Sequence, residues 1–421
     1  MKSVTPSKID GAVDAPPSKS MMQRAVIAAA LAEGETRIAN ATFCDDALAA
    51  LRVVETLGAK VERSQKGAVI RGVGMVRGES VEPAGSTLDC GESGTCMRMI
   101  SAVAALYERE MTITGSGTLL TRPVSMVEVP LRALGARCET NDGKPPIIVK
   151  GPIHGGKITV DGSESSQFLS GLLMALPLCK KDSVVDVSHL KSKPYVSMTL
   201  ALMRKFGVDI ECDVELRCFR IRGGQEYRAT QYAVDGDWSG AAFLLVAGAI
   251  AGSAKVRGLK PSSQADEAIV EALRLAGAEI RDDAKGVAVK NRELAGFDFD
   301  ANDCPDLFPP LAVLACNCNG KSVIRGVGRL KCKESDRAAA LVSELGKMGA
   351  DIKVIGGRME IAGKRLQGGE VESHGDHRIA MACAIAALTS EKGVEIEGDG
   401  CVSKSYPAFF EDLKKLGAIV K

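Results

Sequence analysis

Along its apolar and polar positions the chain repeats one phrase: an apolar run of helical length, a glycine, a small residue, then a short stretch where apolar and polar residues alternate. The phrase closes at Leu57-Gly58-Ala59, Leu134-Gly135-Ala136, Phe206-Gly207-Val208, Ala276-Gly277-Ala278, Met348-Gly349-Ala350 and Leu416-Gly417-Ala418, with successive glycines 77, 72, 70, 72 and 68 residues apart. A glycine directly after a helix supplies the left-handed cap that other residues adopt only with strain. The segments that follow, such as Ala-Lys-Val-Glu from Ala59 and Val-Asp-Ile-Glu from Val208, have the period-two pattern of strands with one buried face. Ahead of each copy lies a second helix of small apolar residues, as at 24–31 (RAVIAAAL), 168–176 (FLSGLLMAL), 240–250 (GAAFLLVAGAI) and 379–388 (IAMACAIAAL). Helices apolar nearly all round belong in a core. Each unit is therefore two helices and several short strands, and six units at near-constant spacing predict two groups of three.

The expected fold is α/β (α+β) with two similar domains. The first spans 18–233 and the second 234–421, with the change-over near 232–235. Residues 1–17 are expected to cross to the second domain, which gives two chain crossings. A length of 421 residues exceeds the size at which a single core usually stops growing. A cleft between two domains is a favoured place for a small molecule.

Composition narrows the function. Apolar residues make up 45% and charged residues 25%, with only 4% aromatics and 45 glycines, so the core must be aliphatic and small. Lys+Arg 54 against Asp+Glu 53 gives no electrostatic reason to expect nucleic acid or an anionic membrane as partner. No apolar stretch reaches the roughly 18–20 residues of a membrane helix. The first 14 residues lack the apolar core of a signal peptide, so a cytoplasmic protein is expected. The 13 cysteines are odd in number and include no C-x-x-C pair; they read as buried free thiols, Cys316 and Cys318 in the apolar stretch 311–318 among them. No metal-ligand spacing stands out, and no heptad pattern is evident, so a monomer without metal is expected.

The buried helices open with polar clusters. These are Pro17-Ser18-Lys19-Ser20 with Arg24 one turn on, the run GESGTCMR at 91–98, Ser165-Ser166-Gln167, Asp235-Gly236-Asp237-Trp238-Ser239, Asp303-Cys304-Pro305-Asp306 and Gly375-Asp376-His377-Arg378. Ser, Asp and Gly suit N-caps. Cations do not, because the helix N-terminus is itself positive. Four helix starts break that rule, at Lys19/Arg24, Arg98, Lys333/Arg337 and Arg378. Cations so placed, beside exposed N–H groups, call for a phosphate or carboxylate ligand. Asp306 and Glu334 stand among those cations, an arrangement that suits proton transfer and equally a salt bridge.

Seven short sequences occur in order along the whole chain: PSKS at 17–20 with Arg24, ESGTCMR ending at Arg98, TRP at 121–123, SSQF at 165–168, SKPY at 192–195, KESDR at 333–337 and DHR at 376–378. Each alone is a weak pattern. Together with the six-fold repeat, they make the chain resemble the 5-enolpyruvylshikimate-3-phosphate synthase family. The resemblance implies two inverse α/β-barrel domains, each of three βαβαββ-type units, with helix N-termini facing the interdomain cleft. It implies transfer of the enolpyruvyl (carboxyvinyl) group of phosphoenolpyruvate to the 5-hydroxyl of shikimate 3-phosphate, with release of phosphate through a tetrahedral intermediate, on the shikimate pathway to chorismate.

The same resemblance implies that Ser20, Arg24, Ser165, Ser166, Gln167, Ser192, Tyr195, Asp306 and Lys333 hold shikimate 3-phosphate. It implies that Lys19, Gly94, Arg98, Arg122, Gln167, Arg337, Arg378 and Lys404 hold phosphoenolpyruvate. Asp306 would orient the acceptor hydroxyl and take its proton, while Glu334, with Lys19 nearby, would handle the proton on the methylene carbon. No cofactor is implied, because Lys and Arg already neutralise the phosphate.

Two positions depart from the pattern of well-known members. Glu92 stands where Asn is usual and brings a negative charge towards the donor site; it either turns away or pairs with an arginine. Arg329 stands where some members have Asn and could compensate for it. Gly94 keeps its position small, so inhibition by glyphosate is expected. Plainer roles also exist: Arg122 as a surface residue, Lys404 as a solvated lysine, Tyr195 as a core aromatic, His377 as an orienting or packing residue, Trp238 as packing, and His154, His189 and His374 in surface loops. Two rival readings remain. A UDP-N-acetylglucosamine enolpyruvyl transferase would carry a reactive Cys on a first-domain loop, and 107–126 contains none. A non-enzymatic repeat ring or clamp would need a broad basic face, which the charge balance does not supply.

Overall fold

The glycines of the repeated phrase, Gly58, Gly135, Gly207, Gly277, Gly349 and Gly417, all lie at positive φ, from 83° to 108°. Each ends a helix as the capping argument requires. The computed structural model describes residues 1–65, 67–74 and 82–421. It divides the chain into two units, Lys19–Val234 and Met1–Ser18 with Asp235–Lys421.

The helices of Lys19–Val234 are α1 (Lys19–Leu31), α2 (Asp45–Thr56), α3 (Gly94–Ala104), α4 (Glu128–Ala133), α5 (Ser166–Ala175) and α6 (Lys193–Lys205). Those of the other unit are α7 (Trp238–Ala251), α8 (Ile269–Leu275), α9 (Phe308–Cys316), α10 (Arg337–Lys347), α11 (His377–Ala387) and α12 (Phe409–Lys415). The odd-numbered helices are the apolar ones. All 14 residues of α7 are buried, and it packs against α9 and α11. In the other unit α3 packs against α5 and α1. These contacts need small residues: a Cβ on Gly171 of α5 would come within 2.4 Å of the Met99 carbonyl oxygen on α3. The even-numbered helices are amphipathic, as α10 is, burying Ala338, Leu341 and Leu345 on one face.

Each unit carries three four-stranded sheets of one design. In the clearest copy, Thr87–Asp89 runs parallel to Met111–Thr114, which is antiparallel to Lys144–Lys150, itself antiparallel to Arg137–Asn141. Helix α3 makes the parallel crossover and α4 leads into the hairpin, so the copy reads βαβαββ. Three copies borrow a strand from elsewhere in the chain. Gln231–Ala233 completes the first sheet of Lys19–Val234 by pairing parallel with Glu33–Ala39. In the other unit Ile9–Asp14 pairs parallel with Gly252–Arg257, and Lys2–Thr5 lies between Val394–Glu397 and Ile419–Val420. The borrowed strands cover sheet positions that would otherwise present unpaired backbone.

Each unit has its own core. Most cysteines lie in these cores, where burial pushes the thiols of Cys316 and Cys318 up to about 12. Cys212 and Cys332 depart from the expectation of buried thiols: both are exposed, Cys212 on an edge strand and Cys332 in the turn before α10. Among the described residues no helix is long and apolar enough to cross a membrane.

Candidate active site

In Lys19–Val234 the expected residues gather at the N-termini of α1, α3, α5 and α6. Arg24, one turn into α1, is 1% exposed. Its Nε donates to Thr199 Oγ1 at 2.8 Å and its Nη1 to the Ser20 carbonyl oxygen at 2.9 Å. The guanidinium carbon stands 6.0 Å from the centre of the Tyr195 ring, so this half-buried aromatic is more than core packing. Burial pushes the Arg24 guanidinium down to about 10, which leaves it charged at neutral pH. Thr199 Oγ1 in turn donates to the Tyr195 carbonyl oxygen at 2.9 Å, one turn back on α6. Ser192, before α6, adopts a left-handed backbone (φ 55°) and is buried.

Arg98 and Arg122 form a second group. Arg98 donates through Nη1 to Gln167 Oε1 (2.9 Å) and through Nη2 to the Pro123 carbonyl oxygen (2.8 Å). Gln167 Nε2 donates onward to Thr95 Oγ1 at 2.7 Å, which ties the start of α5 to the start of α3. Ser165 caps α5 by accepting the Gln167 N–H, and Ser166 is buried beside it. Arg122 is buried rather than a surface residue, and its guanidinium lies over Gly94, the first residue of α3. Among the described residues neither Arg24 nor Arg122 forms an ion pair with a carboxylate. A buried cation without a carboxylate invites an anionic ligand. Lys19 differs from that pattern, because its Nζ lies 3.0 Å from Asp46 Oδ2, an acid the sequence motifs did not single out.

The other unit solves its charge problem internally. Arg337 opens α10 with no solvent exposure and is held on three sides: Nε to Asp376 Oδ2 (2.9 Å), Nη1 to Asp306 Oδ1 (2.8 Å) and Nη2 to Glu334 Oε2 (2.5 Å). Burial works against its charge, but the three carboxylates outweigh burial and push its pKa upward. Asp306 also takes Lys333 Nζ on Oδ1 (3.3 Å) and Arg378 Nη2 on Oδ2 (3.2 Å). Burial depresses the Lys333 amine, Asp306 acts against that, and the charges of Arg337 and Arg329 add to the depression. Arg329 therefore bears on Lys333. Lys404 is buried, not solvated, and donates to the Gly375 carbonyl oxygen at 2.7 Å.

The expectation that these cations wait for an external anion is thus only half met. Asp306, Glu334 and Asp376 meet Lys333, Arg337 and Arg378 within one cluster. Asp376 was read as a helix cap and does cap α11 through the Arg378 N–H (2.9 Å), yet it is also the buried counter-ion of Arg337. The signal was the DHR sequence itself, an acid placed next to a cation at a helix start. Thr199 carried a fainter signal, four residues after Tyr195 on the same helical face. His377 is fully buried, in keeping with a packing role. His374, expected in a surface loop, instead sits half buried with Nε2 2.8 Å from Glu344 Oε1. Glu92 turns away from the arginines to Thr118.

Known proteins match over this whole arrangement. The family model for EPSP synthase (3-phosphoshikimate 1-carboxyvinyltransferase) matches residues 4–413. A 3-phosphoshikimate 1-carboxyvinyltransferase of Clostridium novyi is 38% identical over 99% of this chain and 97% of its own length. Its counterpart in Methanothrix thermoacetophila is 40% identical over 100% of this chain and 99% of its own. The solved EPSP synthase of Acinetobacter baumannii superposes with a TM-score of 0.81 at 29% identity, covering 100% of this chain and 99% of that one. By the full-length family match and these relatives, the chain belongs to the EPSP synthase family.

Proposed function

We propose that this chain transfers the enolpyruvyl group of phosphoenolpyruvate to the 5-hydroxyl of shikimate 3-phosphate and releases phosphate. The observation that carries the reading is the pair of buried cations, Arg24 and Arg122, which meet no carboxylate among the described residues at the positions where the family resemblance implies acceptor and donor. Both substrates are anions, so each cation would gain a partner when its substrate binds.

In this reading Arg24, with Ser20, Ser165, Ser166, Ser192 and Tyr195, holds the phosphate and ring of the acceptor. Arg98 and Arg122 hold the donor, with Gln167 between the two groups through its bonds to Arg98 and Thr95. Arg337, Arg378, Lys404 and Lys19 add positive charge for the donor, and Lys333 for the acceptor. Asp306 takes the proton of the 5-hydroxyl as its oxygen bonds to C2 of phosphoenolpyruvate. Glu334, with Lys19, supplies the proton that turns the methylene into a methyl group. The resulting tetrahedral adduct loses phosphate from C2 while the methyl returns a proton, restoring the enol ether. Charge develops on the phosphate as it leaves, and fixed cations stabilise it. We infer too that the chain works as a monomer in the cytoplasm and that glyphosate competes with phosphoenolpyruvate.

The test is phosphate release from phosphoenolpyruvate, with and without shikimate 3-phosphate and with UDP-N-acetylglucosamine as a parallel acceptor. Release that requires shikimate 3-phosphate is expected. Release only with the nucleotide sugar, or with neither, overturns the reading.

A further inference from the structure

The segment that carries Arg122 is fastened to the start of α3 at successive points. Ser116 N–H donates to the Gly91 carbonyl oxygen at 2.8 Å. Glu92 Oε2 accepts both the backbone N–H and the hydroxyl of Thr118, each at 3.1 Å. The Arg122 guanidinium lies over Gly94. Arg98 Nη2 donates to the carbonyl oxygen of Pro123 at 2.8 Å. Between the second and third points runs a single 3₁₀ turn, Gly117–Thr121, with Arg122 as its C-cap. Thr118 is in the first turn of that element, so the Glu92 carboxylate sits at its positive end and meets an N–H with no partner inside the turn. Gly117 (φ +54°) makes room for this carboxylate: a Cβ there would fall 2.5 Å from Glu92 Oε2.

We propose that Glu92 is a positioning residue for Arg122. It clamps the near end of the 3₁₀ turn, so that the far end delivers the guanidinium over Gly94, where the donor anion is recognised. The inference rests on the reading of Arg122 as a phosphoenolpyruvate ligand. It explains why an acid is tolerated next to an anion site: its charge is spent on Thr118 and on the end of the turn, two residues from Gly94 and on the other side of the segment it holds.

The test is steady-state kinetics on Glu92→Ala, Glu92→Gln and Thr118→Val, with the Arg122→Gln background as a partner for each. Because a small displacement of a clamping cation weakens binding steeply, Glu92→Ala should raise the KM for phosphoenolpyruvate about 10-fold. The KM for shikimate 3-phosphate should stay within about 2-fold, since Arg24 and its partners are untouched. Glu92→Gln keeps an oxygen to accept from Thr118 and should restore most of the loss. In the Arg122→Gln background the Glu92→Ala effect should vanish. An unchanged KM for phosphoenolpyruvate overturns the inference, and so do equal rises for both substrates, or an Ala effect that persists without Arg122. Should Glu92→Ala fail to fold, Thr118→Val and Glu92→Gln decide the matter: a selective rise in the first with near-wild-type behaviour of the second supports the clamp, and any other pattern overturns it. A wild-type chain silent in the assay would instead count against the functional reading, so the two failures are distinct.

Discussion

Arg337 Nε donates to Asp376 Oδ2 across 2.9 Å, and neither side chain is exposed to solvent. This bond joins two helix N-termini. Asp376 caps α11, Arg337 opens α10, and Asp376 Oδ2 also accepts from Ser335 Oγ at 3.1 Å. A buried pair of this kind is costly to break from one side, because the partner is left as an uncompensated charge. Asp376→Ala should therefore lower the stability of the folded chain by about 3–5 kcal/mol, read as a shift in the urea midpoint. A loss below about 1 kcal/mol would mean that Asp306 and Glu334 suffice to hold Arg337.

A second buried acid anchors the same helix pair from further away. Glu344 on α10 is fully buried and accepts from the Glu372 N–H (2.9 Å), Lys347 Nζ (2.8 Å) and Ser343 Oγ (2.8 Å), with His374 Nε2 at 2.8 Å. Burial alone would raise its pKa; Lys347, the Glu372 amide, His374 and Ser343 overcome that and bring it down to about 2. The folded value lies below the unfolded one. The group therefore contributes stability above the unfolded pKa of 4.5, and the contribution is lost as pH falls from there towards about 2. Thermal melts of the wild-type chain and Glu344→Gln should differ most near neutral pH and converge towards pH ~2. A gap in melting temperature that does not narrow with acid would show that packing, not ionisation, makes Glu344 matter.

Lys333 predicts a limit on the alkaline side. Burial depresses its amine, so it gives up its proton at lower pH than an ordinary lysine, and the charge offered to the anionic acceptor is lost earlier. Activity in kcat/KM for shikimate 3-phosphate should fall as pH rises, with the limb below the usual lysine range near 10.5. Lys333→Arg keeps the charge at all these pH values. It should move that limb upward even if it lowers the plateau. A limb left in place by the substitution would assign it to another group.

Much of this was legible in the sequence where the determinants are local. Gly58 and its five counterparts mark helix ends because only glycine reaches their φ values without strain. The helices between 24–31 and 379–388 announce burial because they have no polar face. The strand pairing was not legible, since nothing near Lys2–Thr5 records that its neighbours are Val394–Glu397 and Ile419–Val420. At the site, residue types could be read but counter-ions could not. Lys19 reads as a ligand for an anion until Asp46 is found 3.0 Å away, and Asp376 reads as a cap until Arg337 is found beside it. His374 reads as a loop residue, yet its left-handed backbone (φ 53°) goes with a ring held against Glu344. Such pairings join residues far apart in sequence, and local pattern is silent about them.

Gly94 offers a test of the donor site that leaves the fold untouched. A Cβ at this position would lie 2.8 Å from Arg122 Cζ and Nη1 and 2.9 Å from Nη2. Contacts that short do not persist, so something must move. Gly94 starts α3, where alanine suits the backbone at least as well as glycine, and the obstructing atoms are the far end of a flexible side chain. The guanidinium is therefore what gives way. Gly94→Ala should leave the melting temperature unchanged or slightly raised, since the added methyl reduces the freedom of the unfolded chain. The displaced cation no longer meets the anion it was placed for, so the KM for phosphoenolpyruvate should rise about 10-fold. The KM for shikimate 3-phosphate should change by less than about 2-fold, because Arg24 and Thr199 are linked to this position through neither bond nor contact. A stable variant with an unaltered KM for phosphoenolpyruvate would remove Arg122 from the donor site, and the clamp by Glu92 would lose its purpose with it.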